Sequence, residues 1–150
     1  MITGRMKNRQ PKISQLQIEQ LIPHSGPMSL IDRIDAWDEN SIQCRTASHR
    51  RPDHPLRRNG SLSALHLLEY GAQCIAIHGG LLAGGSRPGF LAAVKNAHFH
   101  VEMLDNIQLE LTIRAQSEIQ DRNGAIYQFT ISAGKKRLLE AHATVMYKPS

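Results

Sequence analysis

Ala64-Leu-His-Leu-Leu-Glu-Tyr-Gly-Ala-Gln-Cys-Ile-Ala-Ile-His-Gly-Gly-Leu-Leu82 is the stretch that decides how this chain folds. Wound as a helix, it is apolar on nearly every side. Such a helix has no face suited to water and needs something around it. The polar exceptions are His66, Glu69, Gln73 and His78. Glu69 stands out among them, because burying a lone carboxylate is costly unless it is paired, hydrogen-bonded or neutralised. His66 lies three positions before it and Gln73 four after, so all three share one helix face. A reactive site explains this grouping. A glutamate at the solvent edge of the helix with a satisfied boundary histidine is the ordinary alternative.

The rest of the chain supplies the covering layer. Outward from the helix, Gly79-Gly80 and then Gly84-Gly85 mark a fraying C-terminal end, and Ser61 or Ser63 caps the start. After Pro88, four segments read as strands: Gly89–Val101, Ile107–Ile119, Ala125–Ala133 and Arg137–Tyr147. Asn123-Gly124 is a hairpin signal between two of them. In Ile107-Gln-Leu-Glu-Leu-Thr-Ile-Arg-Ala115 the alternation is strict, so one face is buried and one is wet. Before the helix, Met28–Trp37 and Ser41–Ser48 read as two strands, joined through Asp38-Glu39-Asn40. Residues 49–60 form a polar loop rich in Arg, Pro and His. Ile13–Leu21 reads as a short helix ended by Pro23, and residues 1–12 as a flexible basic tail. The expected class is α+β: a curved antiparallel sheet wrapped around one long central helix, in a single domain spanning 13–150.

Composition narrows the function classes. A chain of 150 residues has room for one substantial core. Its most apolar segment carries His66, Glu69, Gln73 and His78, which argues against a membrane helix. The N-terminus lacks the apolar run of a secretory signal, so a cytoplasmic protein is the expectation. Cys44 and Cys74 have neither metal-knuckle nor disulfide-framework spacing, and the eight histidines form no HExxH-like set. Metal and cofactor are therefore not expected. His98 and His100, two apart in a strand, read as an exposed face. The formal net charge is +5, with Arg50, Arg51, Arg57 and Arg58 clustered. Nucleic acid could use such a patch, but aromatics are few and no groove-reading motif is present. An acidic or phosphorylated protein partner fits equally well, and a solvated basic surface is the plain alternative.

Two segments together resemble a known family. Leu21-Ile-Pro-His-Ser-Gly-Pro-Met-Ser-Leu-Ile-Asp-Arg-Ile34 resembles the opening of bacterial 3-hydroxyacyl-acyl-carrier-protein dehydratases, and Leu68-Glu-Tyr-Gly-Ala-Gln73 resembles their central helix. The dehydratase-like subgroup associated with aryl polyene clusters is similar in both. The resemblance implies a hotdog fold over nearly the whole chain and a homodimer, or a heterodimer with another hotdog protein. It implies dehydration of 3-hydroxyacyl thioesters on acyl carrier protein, in fatty acid or polyene biosynthesis. A hotdog thioesterase and a catalytically weak partner subunit are the rivals, because this fold hosts several activities.

The resemblance also suggests roles. Glu69 would be the acid that helps the 3-hydroxyl leave, and a loop histidine the base that takes the C2 proton. A backbone N–H at the helix start would polarise the thioester carbonyl, which places Ala64, Leu65 and Gln73 against substrate. Arg57 and Arg58 would meet the carrier protein. The chain departs from the family pattern at the base. Fourteen residues before Glu69 stands Pro55, the nearest histidine is His54, and Ser63-Ala64 replaces the Pro-Gly that opens the family helix. His66 or His54 is thus the candidate base, or the chain lends only Glu69 to a partner. His24 has a structural role by the same resemblance, Asp32-Arg33 reads as a surface pair, and Tyr70 and Cys74 as core.

Overall fold

The computed structural model describes Ile18, residues 28–85 and residues 89–148. The expected basic tail, most of the Ile13–Leu21 helix and His24 lie outside the described residues; Ile18 itself is buried in the core. Among the described residues, six antiparallel strands form one sheet in the order β1-β2-β4-β5-β6-β3. They are β1 (Arg33–Trp37), β2 (Ser41–Thr46), β3 (Gly89–Phe99), β4 (Leu111–Gln120), β5 (Gly124–Ala133) and β6 (Lys136–Tyr147). A 3-10 turn at Ala64–His66 runs into the long helix α1 (Leu67–Ala83). This helix lies across β2, β4 and β5, and it is largely buried. The arrangement is the hotdog fold.

Alternation explains the sheet. Leu111, Ile113 and Ala115 of β4 face the helix with Tyr127, Phe129 and Ile131 of β5, all buried, while Thr112 and Arg114 face out. The β4–β5 hairpin turns at Asp121–Gly124. Asp121 Oδ1 accepts from the N–H groups of Asn123 at 2.8 Å and Gly124 at 3.1 Å. At position 124 the Val145 carbonyl of β6 leaves no room for a Cβ, so the turn needs glycine there.

Several boundaries differ from the sequence reading, each for a physical reason. The first strand begins at Arg33, five residues later than expected. Leu30 makes no ladder bonds because side chains take its backbone: Thr46 and Ser48 hydroxyls donate to its carbonyl, and its N–H donates to Gln73. The second strand ends at Thr46, since Ala47 N–H turns to Asp32 Oδ2 and Ser48–Arg50 forms a 3-10 turn. The β2 ladder therefore stops at Thr46 opposite Leu111, which leaves residues 107–110 without a strand partner. The helix runs through Gly79-Gly80, both buried, and stops at Gly84, whose φ of 78° makes it the left-handed cap. Asp32 and Arg33 are not paired with each other. Asp32 meets Arg51, and Arg33 grips Glu110 with two hydrogen bonds of 2.6 and 3.0 Å.

Candidate active site

The candidate site residues gather around the start of α1. Ser63 caps the first turn, its hydroxyl accepting from Leu65 N–H at 3.1 Å. Ala64 N–H donates to Glu102 O at 2.8 Å, and His66 N–H to Ser63 O at 3.2 Å. The first amides of this turn are thus engaged within the chain, and Leu65 carries its side chain out to solvent at 63% exposure. The next turn brings Glu69 and Gln73 together. Gln73 is buried, and its amide nitrogen donates to Glu69 Oε2 at 3.1 Å and to Met28 O at 2.8 Å. Its amide oxygen accepts from Leu30 N–H at 2.9 Å. Glu69 is half-buried. His66, one turn before it, is half-buried too, and its ring makes no hydrogen bond among the described residues.

His54 is placed differently. It is 4% exposed, and both ring nitrogens are engaged. Leu56 N–H, which can only donate, gives to Nδ1 at 3.1 Å. The ring proton is therefore on Nε2, which donates to the Tyr70 hydroxyl at 3.0 Å. Tyr70 donates to Ser48 Oγ at 2.8 Å, and Ser48 donates to Leu30 O at 2.7 Å. The chain of bonds is directed from both ends, because it starts on a backbone donor and finishes on a carbonyl that can only accept. Burial holds the His54 pKa down at about 4, and the positive charges of Arg57 and Arg51 add to that. Burial pushes the Tyr70 phenol up to about 12. Both groups are neutral across the physiological range.

The basic loop divides into two kinds of arginine. Arg57 is a brace. Its guanidinium donates to the carbonyls of Arg51 at 2.8 Å, Gly60 at 3.0 Å and His49 at 2.8 Å, and lies 3.6 Å from Asp105. Its side chain is only 14% exposed. Arg50 and Arg58, in contrast, are exposed. Among the described residues no group of three or more His, Cys, Asp or Glu is placed to hold a metal ion. Cys44 and Cys74 are buried free thiols with sulfurs 3.3 Å apart. His98 and His100 are exposed, and His100 meets Glu140 at 2.8 Å.

A family profile described as ApeP-like, ApeP dehydratase, matches residues 16–150. The chain belongs to the ApeP-like dehydratase family. In that family's terms, the helix with Glu69 and Gln73 stands in the segment the match covers, and so does the loop with His54. Among solved structures, the chain is similar to the dehydratase heterocomplex ApeI:P from Xenorhabdus doucetiae, at 18% identity and a TM-score of 0.80. The likeness covers 89% of this chain and 91% of that one. It is also similar to a hypothetical thioesterase with coenzyme A from Streptococcus pneumoniae (16% identity, TM-score 0.57, 78% and 85% covered). The PaaI protein of the E. coli phenylacetic acid degradation operon is another such structure (14% identity, TM-score 0.58, 75% and 80% covered). At these identities the structures establish the fold. No curated protein matches the sequence. Family and fold together place the chain among hotdog-fold members of a dehydratase family.

Sequence reasoning expected Glu69, His66 and Gln73 on one helix face; Gln73 and Glu69 are hydrogen-bonded there, and His66 stands in the 3-10 turn that caps the helix. It put Gln73, Ala64 and Leu65 against substrate, whereas the Gln73 amide and the first backbone N–H groups are already bonded inside the chain. It did not find Ser48 or the role of Tyr70. Their only sequence signal is a polar atom on each of two residues bound for the core, and their pairing joins positions 22 apart. No helix among the described residues is long and apolar enough to cross a membrane.

Proposed function

We propose that this chain dehydrates 3-hydroxyacyl thioesters held on an acyl carrier protein, with Glu69 as the general acid. One observation carries this reading: the Glu69 carboxyl is held on the central helix by the Gln73 amide at 3.1 Å, one turn from His66, whose ring makes no hydrogen bond among the described residues. The acid gives its proton to the departing 3-hydroxyl as a base takes the C2 proton, leaving an α,β-unsaturated thioester and water. His66 is the base within the chain, because its ring makes no hydrogen bond among the described residues and its place at the cap of the helix is defined. Membership of a dehydratase family supports the reaction class. The exposed Arg50 and Arg58 fit an acidic carrier at the rim.

A second reading concerns the base alone. Strand β3 is an edge of the sheet, with Phe90 at 55% and Leu91 at 37% exposure. A similar fold occurs in a dehydratase heterocomplex. A second hotdog subunit seated on this edge would then bring the histidine, and the chain would lend Glu69. Purified chain, alone and mixed with a second hotdog dehydratase, should be given a 3-hydroxyacyl carrier protein. Dehydration lost in Glu69→Gln under either condition supports the proposal. Activity of the chain alone, removed by His66→Asn, selects His66. Activity only in the mixture selects the partner's base. Thioester hydrolysis without dehydration would overturn the reading.

A further inference from the structure

The histidine nearest the position where related enzymes carry a base is built into a network that reaches Glu69. From His54 the bonds run through Tyr70 and Ser48 to the Leu30 carbonyl, and from the Leu30 N–H through Gln73 to Glu69 Oε2. Leu30 is the knot: a second hydroxyl, from Thr46, also donates to its carbonyl. Leu30, Ser48, Tyr70 and Gln73 are all at most 1% exposed. In such surroundings each bond matters more than in water, because an unmade one leaves an orphaned polar group.

To accept a proton from substrate, His54 would need a free ring nitrogen. Nδ1 is taken by Leu56 N–H, and Nε2 already carries the hydrogen that Tyr70 accepts. A second proton would sit on Nδ1 facing the Leu56 N–H, two donors 3.1 Å apart. General-base work by this ring would therefore break the Leu56 bond first. The loop around it is braced as well, since Arg57 ties the carbonyls of His49, Arg51 and Gly60 together. These bonds hold His54 still and turn it away from proton transfer.

We infer that His54 is a positioning residue: through Tyr70, Ser48, Leu30 and Gln73 it sets where the Glu69 carboxyl stands. This rests on the proposal that Glu69 is the acid. It adds that loss of His54 acts on turnover by displacing that acid, since a misplacement of about 1 Å can cost up to roughly 100-fold in rate.

The test uses His54→Asn and Tyr70→Phe in the full-length chain, with two readouts. The first needs no activity: amide resonances of Leu30 and of the Gln73 side chain are followed by NMR. Both variants should shift these signals and speed Leu30 N–H exchange, with distant β4–β5 amides unchanged. Unshifted Leu30 and Gln73 signals would sink the inference. The second is dehydration kinetics with a 3-hydroxyacyl carrier protein, in whichever assembly is active. Both variants should lower kcat by a similar factor, on the order of tenfold, with KM little changed and the acidic limb of the pH profile kept. His54→Gln, whose amide reaches towards Tyr70, should recover part of the loss. If His54→Asn removes the acidic limb while Tyr70→Phe leaves turnover intact, His54 is the base and the inference fails. Full activity in Glu69→Gln would instead defeat the underlying reading, and the NMR result would still decide whether the network is coupled.

Discussion

Gln73 and Glu69, one turn apart on α1, are joined by a 3.1 Å hydrogen bond whose donor nitrogen also holds Met28 O. The Glu69 carboxylate is thus tied, through Gln73, to the chain segment at residues 28–30. Because Gln73 is buried, removing its amide orphans Leu30 N–H and Met28 O together.

Gln73→Leu should therefore destabilise the fold, at about 1–3 kcal/mol for each buried group left unmatched. Urea unfolding measures this. A loss below about 1 kcal/mol in all would show that water replaces the amide there.

Stability should fall on mild acidification. His54 is neutral in the fold with its pKa at about 4, against 6.5 in the unfolded chain. Between those values the unfolded state binds the proton and the folded state does not, so stability is complete above pH 6.5 and drains away as pH falls towards 4. Burial likewise lowers the pKa of His78, whose Nε2–H donates to Asp38 O at 2.7 Å while Tyr127 donates to Nδ1 at 2.6 Å. Denaturation midpoints at pH 7, 6 and 5 should decline in that order, and less steeply in His54→Asn. Equal midpoints from pH 7 to 5 would contradict the buried-neutral assignment.

The two neighbouring arginines should part company. Arg57→Ala removes three loop hydrogen bonds and should lower stability. Arg58→Glu changes an exposed residue and should leave stability within about 0.5 kcal/mol. It should instead slow carrier-protein association, more at low salt than at high. Unchanged association at low salt would make Arg58 a solvated charge only.

Gly71→Ala is a packing test. A Cβ at position 71 would overlap the buried Phe129 ring, with Cδ2 at 2.7 Å and Cζ at 2.8 Å. Overpacking of this kind costs about 1–3 kcal/mol. A thermal midpoint equal to that of the parent would mean the ring can move aside.

The central helix and the last four strands are legible in the sequence because their signals are local. Apolar residues all round 67–80 demand cover, and period-2 alternation at 111–115 declares a half-buried strand. The pairing of Glu69 with Gln73 is legible for the same reason. What escapes is bonding between distant positions. Whether residues 28–32 form strand depends on the side chains of Thr46, Ser48 and Gln73, which replace a ladder there. Whether Arg57 reads as a surface charge or a brace depends on the path of its own loop. His54 follows the same rule: its sequence position suggests a base, and its bonds to Leu56 and Tyr70 are set by the fold around it.

The most direct measurement is the steady-state dehydration rate of Glu69→Gln on a 3-hydroxyacyl carrier protein, in the chain alone and with a second hotdog subunit. The substitution keeps the shape of the side chain and removes its transferable proton. The rate should fall by at least the roughly 100-fold typical of lost acid–base catalysis, with circular dichroism and unfolding midpoint little changed. A folded Glu69→Gln protein that dehydrates within about threefold of the parent rate would contradict Glu69 as the acid.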